Sequence, residues 1–193
     1  MEENRIRAVI LGIPGVGKTT IISEVEGILQ KRGLEAETVV FGSLMFEEAK
    51  RSGLQTRDDM RKLPIEDQRN LQEGAAKRIA EMRKGIVIID THLFVRTCEW
   101  YYPGIPVNVT NIIRPTHLLL IIANPQEILM RRQSDTARHR DFSTEAEIQH
   151  EVDVSKTMLA SSANITSSPF TILENQKDQA TKVAQDIVRL LVS

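Results

Sequence analysis

Ile6-Arg7-Ala8-Val9-Ile10-Leu11-Gly12-Ile13-Pro14-Gly15-Val16-Gly17-Lys18-Thr19-Thr20 decides the fold. Residues 6–11 are short, apolar and stopped by glycine, the pattern of a buried strand. Gly12 to Thr19 then match G-x-x-x-x-G-K-[ST] at every fixed position. Ile21, Ile22, Val25, Ile28 and Leu29 follow at helical spacing, and Gly33 is a fitting C-cap. A glycine-rich loop between a strand and a helix lets backbone N–H groups face phosphate oxygens, while the helix presents its positive N-terminus to the same anion. Gly12, Ile13, Pro14, Gly15, Val16, Gly17, Lys18, Thr19 and Thr20 are therefore the expected phosphate cradle. Lys18 would neutralise β- and γ-phosphate charge, Thr19 would ligate Mg²⁺, and Thr20 is placed for a further phosphate contact.

Outward from this loop, the chain alternates apolar strands with amphipathic helices. Strands are expected at 38–41, closed by Gly42, at 86–89, terminated by Asp90, at 118–123 and at 170–173. Helices are expected at 44–51, 58–62, from Pro64 to Gly85, from Asn124-Pro125 onward, at 143–163 capped by Ser143, and at 177–192. Near-continuously apolar strands separated by helices imply a parallel sheet covered on both faces. The expected fold is α/β, a doubly wound five-stranded parallel sheet flanked by helices, in one domain over residues 1–193. Ligands in such sheets bind beyond the carboxyl ends of the strands.

Composition narrows the setting. At 193 residues, 41% hydrophobic and 26% charged, the chain suits one ordinary globular domain and not a disordered one. A net charge of −1 argues against bulk binding to nucleic acid or acidic membranes. The single cysteine, Cys98, rules out an intrachain disulfide framework. With no signal-peptide pattern and no apolar run long enough to span a bilayer, a cytoplasmic location is expected.

The loop alone does not choose among an ATPase motor, a GTPase and a small-molecule kinase. The third strand ends Asp90-Thr91-His92, without the acidic pair a motor would use to activate water. Asn175-Gln176-Lys177-Asp178 departs by one position from a guanine-reading motif. A kinase also needs an acceptor pocket and cations around the moving phosphoryl group. Arg57 and Arg61 stand i,i+4 and could share a face, with Asp58 and Asp59 favoured there by the helix dipole. Arg131, Arg132, Arg138 and Arg140 fall in a Ser/Thr/His-rich stretch, suited to a flap that stabilises charge and excludes water. Asp90 is placed to hold Mg²⁺ through water, and His92 either to contact the acceptor or to serve as a structural histidine at the strand end. An acceptor that is already an anionic phosphate needs no general base.

Taken together, Gly12 to Thr20, Phe41-Gly42-Ser43-Leu44-Met45-Phe46, Arg57-Asp58-Asp59-Met60-Arg61-Lys62-Leu63, Asp90-Thr91-His92, and the run from Arg131 to Asp141 resemble the archaeal type of adenylate kinase. The resemblance covers essentially the whole chain. It implies a P-loop kinase core with small insertions: an AMP-binding segment at about 42–72 and a lid at about 131–142. It implies Mg-dependent transfer of the terminal phosphoryl group of ATP to AMP, giving two ADP, and a homotrimer. Residue by residue, Gly15, Gly17, Lys18, Thr19 and Thr20 match the donor cradle. Gly42, Met45, Arg57, Met60 and Arg61 match the AMP segment, Asp90, Thr91 and His92 the site between the nucleotides, and Arg132, Arg138 and Arg140 the lid cations. The commoner bacterial and eukaryotic enzymes carry Asp-Gly-Phe-Pro-Arg after strand three; Arg96 is a candidate here for that arginine's role. Without a cysteine cluster in the lid, no structural zinc is expected. Another nucleoside monophosphate or a small metabolite as acceptor, or a nucleotide-binding regulatory or assembly ATPase, are the alternative readings.

Overall fold

The computed structural model describes residues 5–97, 100–134 and 143–192, with the side chains of Asp58 and Arg61 outside that description. In chain order the elements are β1 (Ile6–Leu11), α1 (Lys18–Lys31), β2 (Ala36–Val40), α2 (Phe41–Arg51), α3 (Arg57–Arg61), α4 (Ile65–Glu81) and β3 (Ile86–Asp90). There follow β4 (Phe94–Arg96), β5 (Tyr101–Pro103), α5 (Val107–Ile113), β6 (His117–Ile122), α6 (Pro125–Ser134), α7 (Glu145–Thr166), β7 (Phe170–Glu174) and α8 (Ala180–Val192).

The expected sheet is present: five strands, ordered β2-β3-β1-β6-β7 and parallel throughout. Parallel pairing follows from the helical crossovers between successive strands. On one side α1 packs against α8; α2, α4, α5, α7 and α6 pack in succession. Ala8, Val9, Ile10 and Leu11 of β1 and Val87, Ile88 and Ile89 of β3 are fully buried, so the apolar runs lie where both faces are covered. Each of these Val, Ile and Leu side chains contributes about 1.5–3 kcal/mol on leaving water.

The structure moves several expected boundaries. The second strand ends at Val40, opposite Asp90, because β3 offers no partner beyond that register. Phe41 therefore opens α2, and Gly42 lies inside the helix instead of closing the strand. The third helix starts at Arg57, capped by Thr56 in a box with Asp59, which makes Asp59 more than a dipole residue. Pro64 is the N-cap of α4 and not its first helical residue, and Ile65, the first helical residue, is exposed. That helix stops at Glu81, and the Arg7 guanidinium donates to the Ala80 and Met82 carbonyls at its end. Thr144, not Ser143, caps α7, in a box with Glu147; Ser143 accepts from Arg132 instead. The last helix begins at Ala180 and buries Val183, Ala184, Ile187, Val188 and Leu191. Strand β7 is an edge, and Phe170 and Ile172, which share one of its faces, are exposed. The β4–β5 hairpin and α5 are additions to the expected element list.

Among the described residues no helix is long and apolar enough to cross a membrane.

Candidate active site

The strand order puts the carboxyl ends of β3, β1, β6 and β7 side by side. The loop after β1 wraps into α1, whose first N–H groups have no intrahelical partner and remain for an anion. Gly17, at φ 94, is the N-cap, and no side chain caps the helix. The cradle residues Gly12 to Thr20 thus adopt the strand–loop–helix arrangement expected of them, with Thr19 and Thr20 exposed at the helix start.

Lys18 is 7% exposed and its side chain turns back over the loop. Its ammonium donates to the Gly12 carbonyl at 2.8 Å and lies 3.7 Å from Asp90 Oδ1. Asp90 arrives there because it pairs with Ile10 in the parallel register, and the Thr91 N–H extends that ladder to the Ile10 carbonyl. His92 Nδ1 stands 2.6 Å from the Gly12 carbonyl and 3.3 Å from Lys18 Nζ. A carbonyl can only accept, so the shorter contact assigns the proton to Nδ1, and the Lys18 approach is a contact and not a second hydrogen bond. Lys18 and His92 thereby meet at the Gly12 carbonyl, with Asp90 beside the Lys18 ammonium and Thr91 tied to the end of β1.

Of the residues expected to bind the acceptor, α2 carries Gly42 and Met45, and α3 carries Arg57, Met60 and Arg61. Arg57 donates to Ser43 Oγ at 2.8 Å and stacks its guanidinium 5.9 Å from the Phe46 ring centroid. A Cβ built on Gly42 meets nothing within 4 Å, so the packing around it does not demand glycine. Arg61 closes α3, with its side chain outside the described set.

Among the expected lid cations, Arg138 and Arg140 lie outside the described residues. Arg132 reaches the cradle: its Nε donates to the Pro14 carbonyl at 2.9 Å, and its Nη2 to Glu151 at 2.8 Å. Arg131 also touches the loop, donating to the Val16 carbonyl at 3.3 Å and to Glu127 at 2.7 Å. Arg96 is engaged by Glu147 at 2.9 Å and Glu151 at 3.1 Å, which raises its already high pKa, the Glu147 bond being the larger cause. The buried Glu151 therefore serves two arginines from different elements.

The residues that sequence reasoning passes over are Glu151, Arg131 as a partner of the loop, and Asn175. Asn175 is 4% exposed, and its Nδ2 donates to the Val16 carbonyl at 2.8 Å. Its position directly after β7 is the available signal, since the rule about carboxyl ends applies to every strand of the sheet.

Oxygen donors fit Mg²⁺ here: the Thr19 hydroxyl at the helix start and the Asp90 carboxylate at the end of β3. Among the described residues no group of three or more His, Cys, Asp or Glu side chains forms a metal cage. Mg²⁺ does not need one, as it takes one or two protein oxygens and fills its shell with phosphate oxygens and water.

The family described as an AAA domain matches residues 11–149. Adenylate kinase from Methanocaldococcus jannaschii is 38% identical over 185 residues, covering 95% of this chain and 96% of that one. The Pyrococcus horikoshii adenylate kinase is 41% identical, with 95% and 93% covered, and that of Saccharolobus solfataricus 36%, with 95% and 98%. Among solved structures, shikimate kinase from Bacteroides thetaiotaomicron superposes with a TM-score of 0.58 at 16% identity, over 96% of this chain and 98% of that one. That level of likeness bears on the fold, whereas the archaeal relatives share both sequence and length: the chain belongs to the archaeal-type adenylate kinase family.

Proposed function

We infer that the protein is an adenylate kinase, a phosphotransferase moving the terminal phosphoryl group of Mg·ATP reversibly to AMP. The observation that carries this reading is the meeting of the cradle lysine with the end of the third strand, Lys18 Nζ lying 3.7 Å from Asp90 Oδ1. That contact supports a donor cradle adjoining Asp90, Thr91 and His92, the residues proposed to lie between the two nucleotides.

The transfer breaks the bond from the γ-phosphorus to the β,γ-bridging oxygen and forms one from an AMP phosphate oxygen to the same phosphorus. The attacking oxygen is already anionic, so no side chain has to remove a proton. The protein's work is positioning and charge stabilisation. Lys18 would leave the Gly12 carbonyl for β- and γ-oxygens, and the loop N–H groups would hold the rest of the triphosphate. Thr19 and Asp90 would supply the protein-side oxygens for Mg²⁺, which when bound would add charge neutralisation to the triphosphate. Gly42, Met45, Arg57, Met60, Arg61, Thr91 and His92 are the proposed AMP contacts, and Arg132, Arg138 and Arg140 the proposed catalytic cations. The same reading makes the chain one kinase domain, with an acceptor segment at about 42–72 and a lid at about 131–142. A homotrimer, by family resemblance, and a cytoplasmic location complete it, with adenine nucleotides and neither nucleic acid nor membrane as partners.

The test is a coupled assay with Mg·ATP and, in parallel, AMP, CMP, UMP, GMP and shikimate. Turnover with AMP well above the others is expected. Absence of ADP formation from AMP overturns the reading, and preference for another acceptor reassigns the kinase.

A further inference from the structure

The Val16–Gly17 peptide of the cradle is held from behind. Its carbonyl accepts from Asn175 Nδ2 at 2.8 Å and from Arg131 Nη1 at 3.3 Å. In a trans peptide the C=O and the following N–H point to opposite sides. Fixing the Val16 carbonyl toward Asn175 therefore turns the Gly17 N–H away from Asn175. Asn175 is itself fixed, since its backbone N–H donates to the Ile122 carbonyl at 2.8 Å and its side chain is buried. Gly17 is the residue this approach requires: at φ 94, a Cβ there would stand 2.5 Å from Asn175 Nδ2.

We propose that Asn175 is a positioning residue for phosphate binding: its side-chain amide sets the Val16–Gly17 peptide so that the Gly17 N–H serves the cradle. The idea rests on the kinase reading for its place in turnover, but its physical content concerns the polyphosphate alone. A buried amide can orient a peptide at almost no reorganisation cost, whereas a flexible or solvated partner would leave the N–H to find its direction on binding. Asn175 acts through the loop, so it needs no contact with the nucleotide base.

Asn175→Asp tests this most sharply. It preserves shape but sets a carboxylate oxygen against a carbonyl oxygen where an N–H stood. Asn175→Ala removes the bond without adding repulsion. Two measurements are made on the full chain: calorimetric binding of inorganic tripolyphosphate, which has no base, and steady-state KM for ATP and for AMP. Both variants should lose tripolyphosphate affinity, by at least about fivefold for the alanine and more for the aspartate, as expected when a buried carbonyl loses the shorter of its two donors and keeps only Arg131 at 3.3 Å. The KM for ATP should rise in step while the KM for AMP stays within about twofold, a split that general loosening of the fold would not produce. Unchanged tripolyphosphate affinity in both variants overturns the proposal, as does a parallel rise of the two KM values. Should the wild-type chain form no ADP from AMP, the kinase reading falls while tripolyphosphate binding still decides the role of Asn175.

Discussion

Arg132 donates to Glu151 at 2.8 Å between side chains only 9% and 6% exposed. The other carboxylate oxygen accepts from Arg96 at 3.1 Å, so one acid on α7 neutralises cations from α6 and from the β4–β5 hairpin. Arg132 in turn reaches the Pro14 carbonyl, tying this pair to the phosphate loop. Removing one member of a buried ion pair leaves the other charge without compensation, which costs about 3–5 kcal/mol. Glu151→Gln keeps the shape and one acceptor oxygen, and Arg132 keeps Pro14 and Ser143. The expected loss is therefore near the lower end, about 3 kcal/mol by chemical denaturation. A loss below about 1 kcal/mol would mean the pair behaves as a solvated one.

Lys18→Ala removes the cation that stands over the loop. Because charge stabilisation is most of what a phosphoryl-transfer site supplies, kcat should fall by at least about 100-fold. Single-turnover measurements with saturating Mg·ATP and AMP separate this from weaker binding. A near-normal rate would remove Lys18 from the chemistry.

The parts of the fold and site that read out of the sequence are those encoded locally. Strands β1, β3 and β6 are runs of Ile, Val and Leu because both their faces are covered, and Gly12 to Thr19 carry their own spacing. The hairpin escapes such reading because Phe94–Arg96 and Tyr101–Pro103 are too short to show a period. Helix α5 escapes it because Val107-Asn108-Val109-Thr110 has the β-branched character of a strand. Phe41 extends the apolar run of β2 but has no strand partner, a fact known only once β3 is seen to end at Asp90. Asn175 and Glu151 matter through partners 159 and 19 positions away, and no local pattern announces such a pairing. Arginine-rich segments could be named by residue type, but not the carboxylates and carbonyls that aim them.

Glu147 gives a pH-dependent signal. The Thr144 backbone N–H, the Arg96 guanidinium and the Thr144 hydroxyl hold its pKa at about 2, below the ordinary 4.5. A depressed folded-state pKa contributes stability that is fully present above about pH 4.5 and is lost as pH falls toward about 2. Glu147→Gln retains a capping acceptor for Thr144 but does not titrate. The wild-type protein should therefore denature at a higher temperature than the variant at neutral pH, with the gap closing across that acid range. Other carboxylates titrate in both proteins and cancel in the comparison. A gap that stays constant from neutral pH to about pH 2 would show that the carboxylate charge does not stabilise the cap.

Gly104 is the tightest glycine of the site's surroundings. Its N–H donates to the Leu93 carbonyl at 2.8 Å, and an added Cβ would collide with the His92 carbonyl oxygen while lying 3.1 Å from the His92 carbonyl carbon. The obstacle is backbone and cannot rotate away. Gly104→Ala must therefore push on the peptide that carries the imidazole bonded to Gly12. A displacement of that kind at a site built on positioning should lower kcat/KM on the order of 100-fold, with a stability loss of about 1–3 kcal/mol from overpacking. Gly27 provides the contrast, since a Cβ there meets nothing within 4 Å in the middle of α1. Gly27→Ala should raise stability by about 0.5–1 kcal/mol through helix propensity and leave turnover unchanged. If Gly104→Ala instead keeps wild-type kcat/KM, the return of the β4–β5 hairpin does not buttress His92.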